Sequence, residues 1–171
     1  MSMQTGTGTD LESLMATLAS KDGVSRQKAR KSLVVLGKPA VSSLTQALQN
    51  SGFDRVRWEA AKILGAIGDA SSIPALVKAL EDSDTDVAWL AAQALRKFKK
   101  AAWQPLLSAL FNSGMDSVLL RQGAHHVLRN QKAEGFNDLL AKLTKALESS
   151  TAAESAPLAA FEILKRMEAG A

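Results

Sequence analysis

The sequence contains no cysteine and no tyrosine, and only four prolines among its 171 residues. Without cysteine there can be no disulfide and no thiolate metal site, which fits a reducing compartment. Aromatic residues are scarce at 5%, so alanine and leucine must build the core, a composition suited to closely packed helices. No apolar run approaches the roughly 20 residues needed to cross a bilayer. The opening MSMQTGTGTD lacks a charged start followed by an apolar stretch, so it does not read as a signal peptide and a cytoplasmic location is expected. A net charge of +4 is mild, far from the dense Lys/Arg patterns of nucleic-acid binders.

What the chain does have is a repeat. Segments starting at Ser25, Val56, Val87 and Leu119 share the same apolar columns. A small residue recurs as Ala29, Ala60, Ala91 and Gly123, followed by Leu33, Leu64, Leu95 and Val127. The second half of each unit gives Val41, Ile73, Trp103 and Phe136, then Leu44, Leu76, Leu106 and Leu139, then Leu48, Leu80, Leu110 and Leu143. A period of about thirty residues implies a helical solenoid, since each unit can bury its apolar face only against its neighbours.

The expected fold is all-α: a right-handed α-α superhelix of about four helix pairs plus capping helices. Residues 1–8 read as a disordered Gly/Thr-rich tail, and residues 9–170 as one domain. Its units span approximately 24–54, 55–86, 87–117 and 118–150, with a C-terminal cap helix at 155–168. Leu11, Leu14 and Leu18 mark an N-terminal cap helix, and Leu158, Phe161, Ile163 and Leu164 the apolar residues of the C-terminal one, with Leu158, Phe161 and Leu164 expected to dock on the fourth unit. Ser71 and Ser72 are placed to cap the second helix of unit two, and Gly65 and Gly68 to end its first. A further column, Leu36, Ile67 and Phe98, is interrupted at Asn130, which predicts weaker packing in the fourth unit.

The segment VRWEAAKILGAIGDASSIPALVKALEDSDTDVAWLAAQAL resembles the short HEAT-like repeat of the phycobilin-lyase (PBS-lyase) type. Val56-Arg57, Ala60-Ala61, Leu64-Gly65, Ile67-Gly68, Ile73-Pro74-Ala75-Leu76 and Ala79-Leu80 carry the likeness, which covers roughly residues 24 to 147. It is specific for fold and poor for function, because that family includes scaffolds, bilin lyases, a di-iron hydroxylase and DNA-binding relatives.

The hydroxylase branch is tested residue by residue. Deoxyhypusine hydroxylase places His-Glu pairs just before the Ala-Ala step, to supply ligands to two irons. Here the matching positions hold Gln27-Lys28, Trp58-Glu59, Trp89-Leu90 and Arg121-Gln122, so only Glu59 survives. That excludes the di-iron enzyme. His125 and His126, the only histidines, are adjacent and point about 100° apart on a helix, so they cannot chelate one ion. By column, His126 faces the core and His125 faces solvent. A bilin lyase would need an aromatic groove with basic residues for a tetrapyrrole and its two propionates, for which Arg57, Trp58 and Trp89 are available.

The functional expectation is a non-catalytic scaffold that binds a protein or peptide, with no catalytic, cofactor-binding or metal-binding residues. Trp58, Trp89, Leu90 and Arg57 are its candidate partner-binding residues, since a column that also holds Gln27 and Arg121 should be partly exposed. The alternatives are a phycobilin lyase or its chaperone-like subunit, and a nucleic-acid binder using Arg26, Lys28, Arg30 and Lys31. The acidic run Asp82, Asp84 and Asp86 would repel phosphates, which disfavours the last.

Overall fold

A computed structural model describes residues 6–113 and 115–170 of the chain. Its α-helices are α1 (Gly6–Thr17), α2 (Gly23–Leu36), α3 (Lys38–Asn50), α4 (Asp54–Ile67), α5 (Ile73–Lys78), α6 (Thr85–Phe98), α7 (Trp103–Ser113), α8 (Val118–Leu128), α9 (Asn137–Glu148) and α10 (Ala152–Ala169). Short 3-10 turns at Ala70–Ser72, Ala79–Glu81 and Lys99–Ala102 flank α5 and lead into α7. Helix α1 begins at Gly6, so residues 6–8 are helical rather than part of a tail. Residues 1–5 of the expected tail lie outside the described residues.

Local chemistry sets most of the helix starts. Asp22 accepts from the amides of Val24 and Ser25 at 3.2 and 2.9 Å, closing the start of α2. Asp84 does the same for α6 with Asp86 and Val87, and Ser117 for α8 with Leu120. In unit two the cap is Asp69, which accepts from the Ser71 amide, rather than either serine. Ser72 instead donates its hydroxyl to the Asp69 carbonyl at 2.7 Å. Pro39 and Pro74 occupy first-turn positions of α3 and α5, where the missing N–H costs nothing.

Helices α2, α4, α6 and α8 stack in sequence as one layer, and α3, α5 and α7 stack behind them. The repeated columns lie between the layers. Leu33, Leu64, Leu95 and Val127 are fully buried there, as are Leu44, Leu76 and Leu106 from the second helices. The closest approach is between α4 and α6. A Cβ at Gly65 would fall 2.6 Å from the Ala94 Cβ and 3.1 Å from its Cα. Gly65 thus serves contact rather than a turn, which Gly68 alone provides with φ 72°.

The C-terminal end departs from the expected order in one respect. Helix α10 packs on α9 of the fourth unit, but it packs as broadly on α7 and so lies between the two rather than at the outer end of the array. Its buried face is Ala156, Ala159, Ala160 and Ile163, whereas Leu158 is 65% exposed and Phe161 45%. A helix wedged between two others needs small residues on its contact face, so the alanine stripe turns inward with Ile163, Leu164 is half-buried against the core, and only Leu158 and Phe161 turn out. Asn130 fills no core pocket. Helix α8 stops at Leu128, and Asn130 is exposed with φ 65°. Gln131 ties this turn to the core, accepting from the Trp103 indole N–H at 2.6 Å and donating to the Val127 carbonyl at 2.8 Å.

Candidate ligand and partner surfaces

Three arginines of units one and two, Arg26, Arg30 and Arg57, serve ion pairs rather than an open surface. Glu59 is only 2% exposed, and a buried carboxylate must be paired. Arg30 Nη1 donates to its Oε2 at 2.9 Å, and Arg26 Nε lies 3.6 Å from Oε1. Arg26 also donates to the carbonyls of Ser20 and Lys21, bracing the turn between α1 and α2. Of the four basic candidates, Arg26 and Arg30 are therefore structural, and only Lys28 and Lys31 stand exposed.

Arg57 is likewise removed from the partner-binding set. Its guanidinium makes a two-point contact with Asp82, Nε to Oδ2 at 2.8 Å and Nη2 to Oδ1 at 2.9 Å. It also donates to the Ser51 carbonyl. Asp82 in turn accepts from the Asp84 amide, so the acidic run is tied into the turn before α6. The hydrogen bonds Arg57 donates to Asp82 hold its pKa above its ordinary value, against the lowering effect of burial.

The two tryptophans do not line one cleft. Trp58 is half-buried, with Lys62 Nζ 4.6 Å from its ring centroid. It borders a cleft of about 570 Å³ with the exposed Phe53, where Arg26 and Arg55 alternate with Asp54 and Asp86. Leu90 is half-buried and packs on the core. Trp89 is 49% exposed and lies on the His126 ring, with centroids 4.1 Å apart and planes tilted by 47°.

Trp89 and His126 border a second cleft of about 220 Å³ between α6 and α8, closed by Leu80, Ala92, Leu119 and Gly123. Gly123 lets the helices approach here, because a Cβ would stand 2.9 Å from a Leu80 methyl. Burial lowers the His126 pKa first, and the charges of Arg129 and Arg96 lower it further. His126 is therefore neutral at pH 7 and able to accept a proton. His125 points away and meets Glu148, Nε2 to Oε1 at 2.8 Å. Column arithmetic places His126 inside but does not pair it with Trp89. The available signal was that the two residues sit on successive helices of one layer.

With this geometry in view, the comparisons are informative. Residues 41–129 match the family model described as HEAT repeats, which covers more than half of the chain. The chain belongs to the HEAT repeat family. A search of curated proteins finds no match. Among solved structures, this HEAT repeat chain is similar to one in the complex of CpcE and CpcF of phycocyanin lyase from Nostoc sp. PCC7120. That match has a TM-score of 0.63 at 21% identity and covers 90% of this chain and 98% of that one. The resemblance to PBS-lyase repeats is thereby upheld at the level of fold. The expectation that the chain is not an enzyme is overturned, because the architecture it matches end to end belongs to a lyase complex. A solenoid without an evident reaction centre is thus no argument against catalysis. Among the described residues, no helix is long and apolar enough to cross a membrane.

Proposed function

We propose that this chain is a bilin-lyase-type subunit. It holds an open-chain tetrapyrrole and acts with a protein partner while the tetrapyrrole is joined to an acceptor protein in the cytoplasm. The observation that carries this reading is the match to a phycocyanin-lyase complex over nearly the whole of both chains. The α6–α8 cleft adds chemistry suited to the task. It offers an indole and a neutral imidazole as flat apolar surfaces, and it is lined by Leu80, Ala92 and Leu119.

The division of labour follows from the composition. With no cysteine, the chain cannot itself carry a thioether-linked bilin, so an attacking thiol must come from the acceptor. As the thiol sulfur bonds to a C=C carbon of the tetrapyrrole, its proton passes to the neutral His126 imidazole, the π pair moves into the conjugated system, and the imidazolium returns the proton there to complete the addition. The chain's remaining contribution is to hold the flexible tetrapyrrole in one conformation, which lowers the entropic cost of the bond-forming step.

The test is direct. Phycocyanobilin added to the purified protein is expected to change its visible absorbance in both band position and relative band strength. An unaltered spectrum at micromolar protein overturns the reading.

A further inference from the structure

The glycines at the inner turns of units one and two, Gly37 and Gly68, have φ values of 67° and 72°. The equivalent positions in units three and four, at the same even spacing, hold Lys99 with φ 52° and Asn130 with φ 65°. These are the only non-glycine residues with positive φ among the described residues. Asparagine tolerates this region, but lysine pays a steric cost that glycine avoids in the first two units. Strain kept at Lys99 points to a role for that side chain.

Lys99 and Asn130 border one cleft of about 400 Å³, which Arg96, Lys100 and Lys132 also line. No carboxylate lines it, and Arg96, Lys99, Arg129 and Lys132 form no ion pair among the described residues. Lys100 places its ammonium over the Phe136 ring at 4.6 Å. The cleft shares no lining residue with the Trp89–His126 cleft, but Arg96 follows Ala92 by one turn of α6 and Asn130 follows His126 by four residues. On α6 the lining runs Trp89, Ala92 and Arg96, with Lys99 in the turn beyond its end, and on α8 it runs Leu119, Gly123 and His126, with Asn130 beyond its end. Helical spacing puts the three α6 residues on one face, and likewise the three of α8. Burial first, then the charges of Arg129 and Arg96, lower the His126 pKa, so positive charge lies close to the Trp89–His126 cleft.

We infer that the α6–α8 furrow is a binding site for an amphiphilic organic anion. A flat apolar group lies against Trp89 and His126, and anionic groups lie among Arg96, Lys99 and Lys132. From Trp89 to Arg96 is seven residues of helix, about 10 Å. That offset suits a ligand whose carboxylates leave it a ring or two away from its apolar end. In identifying the anion as a tetrapyrrole with two propionates, the inference rests on the bilin reading above. The furrow itself does not.

The experiment titrates the full chain with two probes, phycocyanobilin by absorbance and 8-anilino-1-naphthalenesulfonate by fluorescence. The variants are Trp89→Ala, the double charge reversal Lys99→Glu/Lys132→Glu, and Lys28→Glu/Lys31→Glu on the exposed face of α2. Thermal melts by circular dichroism establish that each variant is folded. Both furrow variants are expected to bind both probes at least tenfold more weakly, with the α2 variant unchanged. If the sulfonate behaves so but wild type ignores phycocyanobilin, the furrow stands and the bilin reading falls. If phycocyanobilin binds every variant alike, the bilin reading stands and the furrow is overturned. Equal weakening in the α2 variant, or binding of neither probe by wild type, also overturns the furrow.

Discussion

Units two and three and the C-terminal end of the molecule use the same helix types but are held together differently. Between α4 and α6 the packing is backbone-close, set by Gly65 against Ala94. Between α6 and α8 the glycine is Gly123, but its neighbour is the Leu80 side chain rather than a facing backbone, and a cleft opens beside it. Further on, strict succession gives way as α10 enters between α7 and α9. The contrast teaches that regular stacking makes a stiff middle, while departures from the period create the concave, chemically varied surface at one end.

The sharpest way to break this contrast is on α10. Ile163 is fully buried and Leu158 is 65% exposed. Ile163→Ala is expected to cost about 2–5 kcal/mol, as for other buried aliphatic truncations. Leu158→Ala should change stability by no more than about 0.5 kcal/mol. Chemical denaturation of both variants checks the order, and the reverse order would restore the apolar face expected from sequence.

The glycines come next. Gly65→Ala must push against the Ala94 backbone and is expected to cost about 1–3 kcal/mol. Gly123→Ala meets the Leu80 side chain, its two methyls at 2.9 and 3.3 Å and its Cβ at 3.2 Å, rather than a neighbouring backbone, and alanine's better helix propensity returns up to about 1 kcal/mol. Gly123→Ala should therefore be clearly the milder of the two in urea midpoints. Similar losses would mean that the two ends of the array are equally stiff.

A smaller effect of opposite sign is expected at Lys99. Lys99→Gly removes a left-handed strain of about 1–2 kcal/mol, partly offset by glycine's greater freedom in the unfolded chain. A net gain of about 1 kcal/mol is expected in thermal or chemical melts. Destabilisation would remove the strain argument.

The smallest effect is a pH dependence. The folded state holds the His126 pKa below its ordinary 6.5, so the unfolded chain takes up this proton first as pH falls. Stability from this group is intact above about pH 6.5 and declines as pH drops from there to the depressed value. His126→Phe cannot titrate, so its urea midpoint should fall less than that of wild type between about pH 7.5 and pH 5. Parallel curves would show that His126 is not kept neutral.

Much of the fold was legible because the repeat writes its nearest-neighbour contacts directly into periodic columns. The buried sets at Leu33, Leu64, Leu95 and Val127 and at Leu44, Leu76 and Leu106 are the ones periodicity named. The candidate site was far less legible. Arg57, Arg26 and Arg30 look alike in sequence whether free or paired, and only their distances to Asp82 and Glu59 decide. Trp89 stood out, but its partner His126 lies a full repeat away, and the cleft exists because both side chains face the same seam. The even spacing of Gly37, Gly68, Lys99 and Asn130 was visible throughout, yet its meaning needed φ angles.

By itself, then, the amino-acid order determined an all-helical array, its period, its turn positions and the residues of its core. It could do so because each of these follows from local propensity and from the burial of one face per helix. Only the tertiary structure decided where α10 lies, which of its faces is buried, which charges pair, and which aromatic rings meet. Those outcomes depend on competition among surfaces far apart in the chain. Small residues let α10 fit between α7 and α9, and that close fit leaves Leu158 and Phe161 outside.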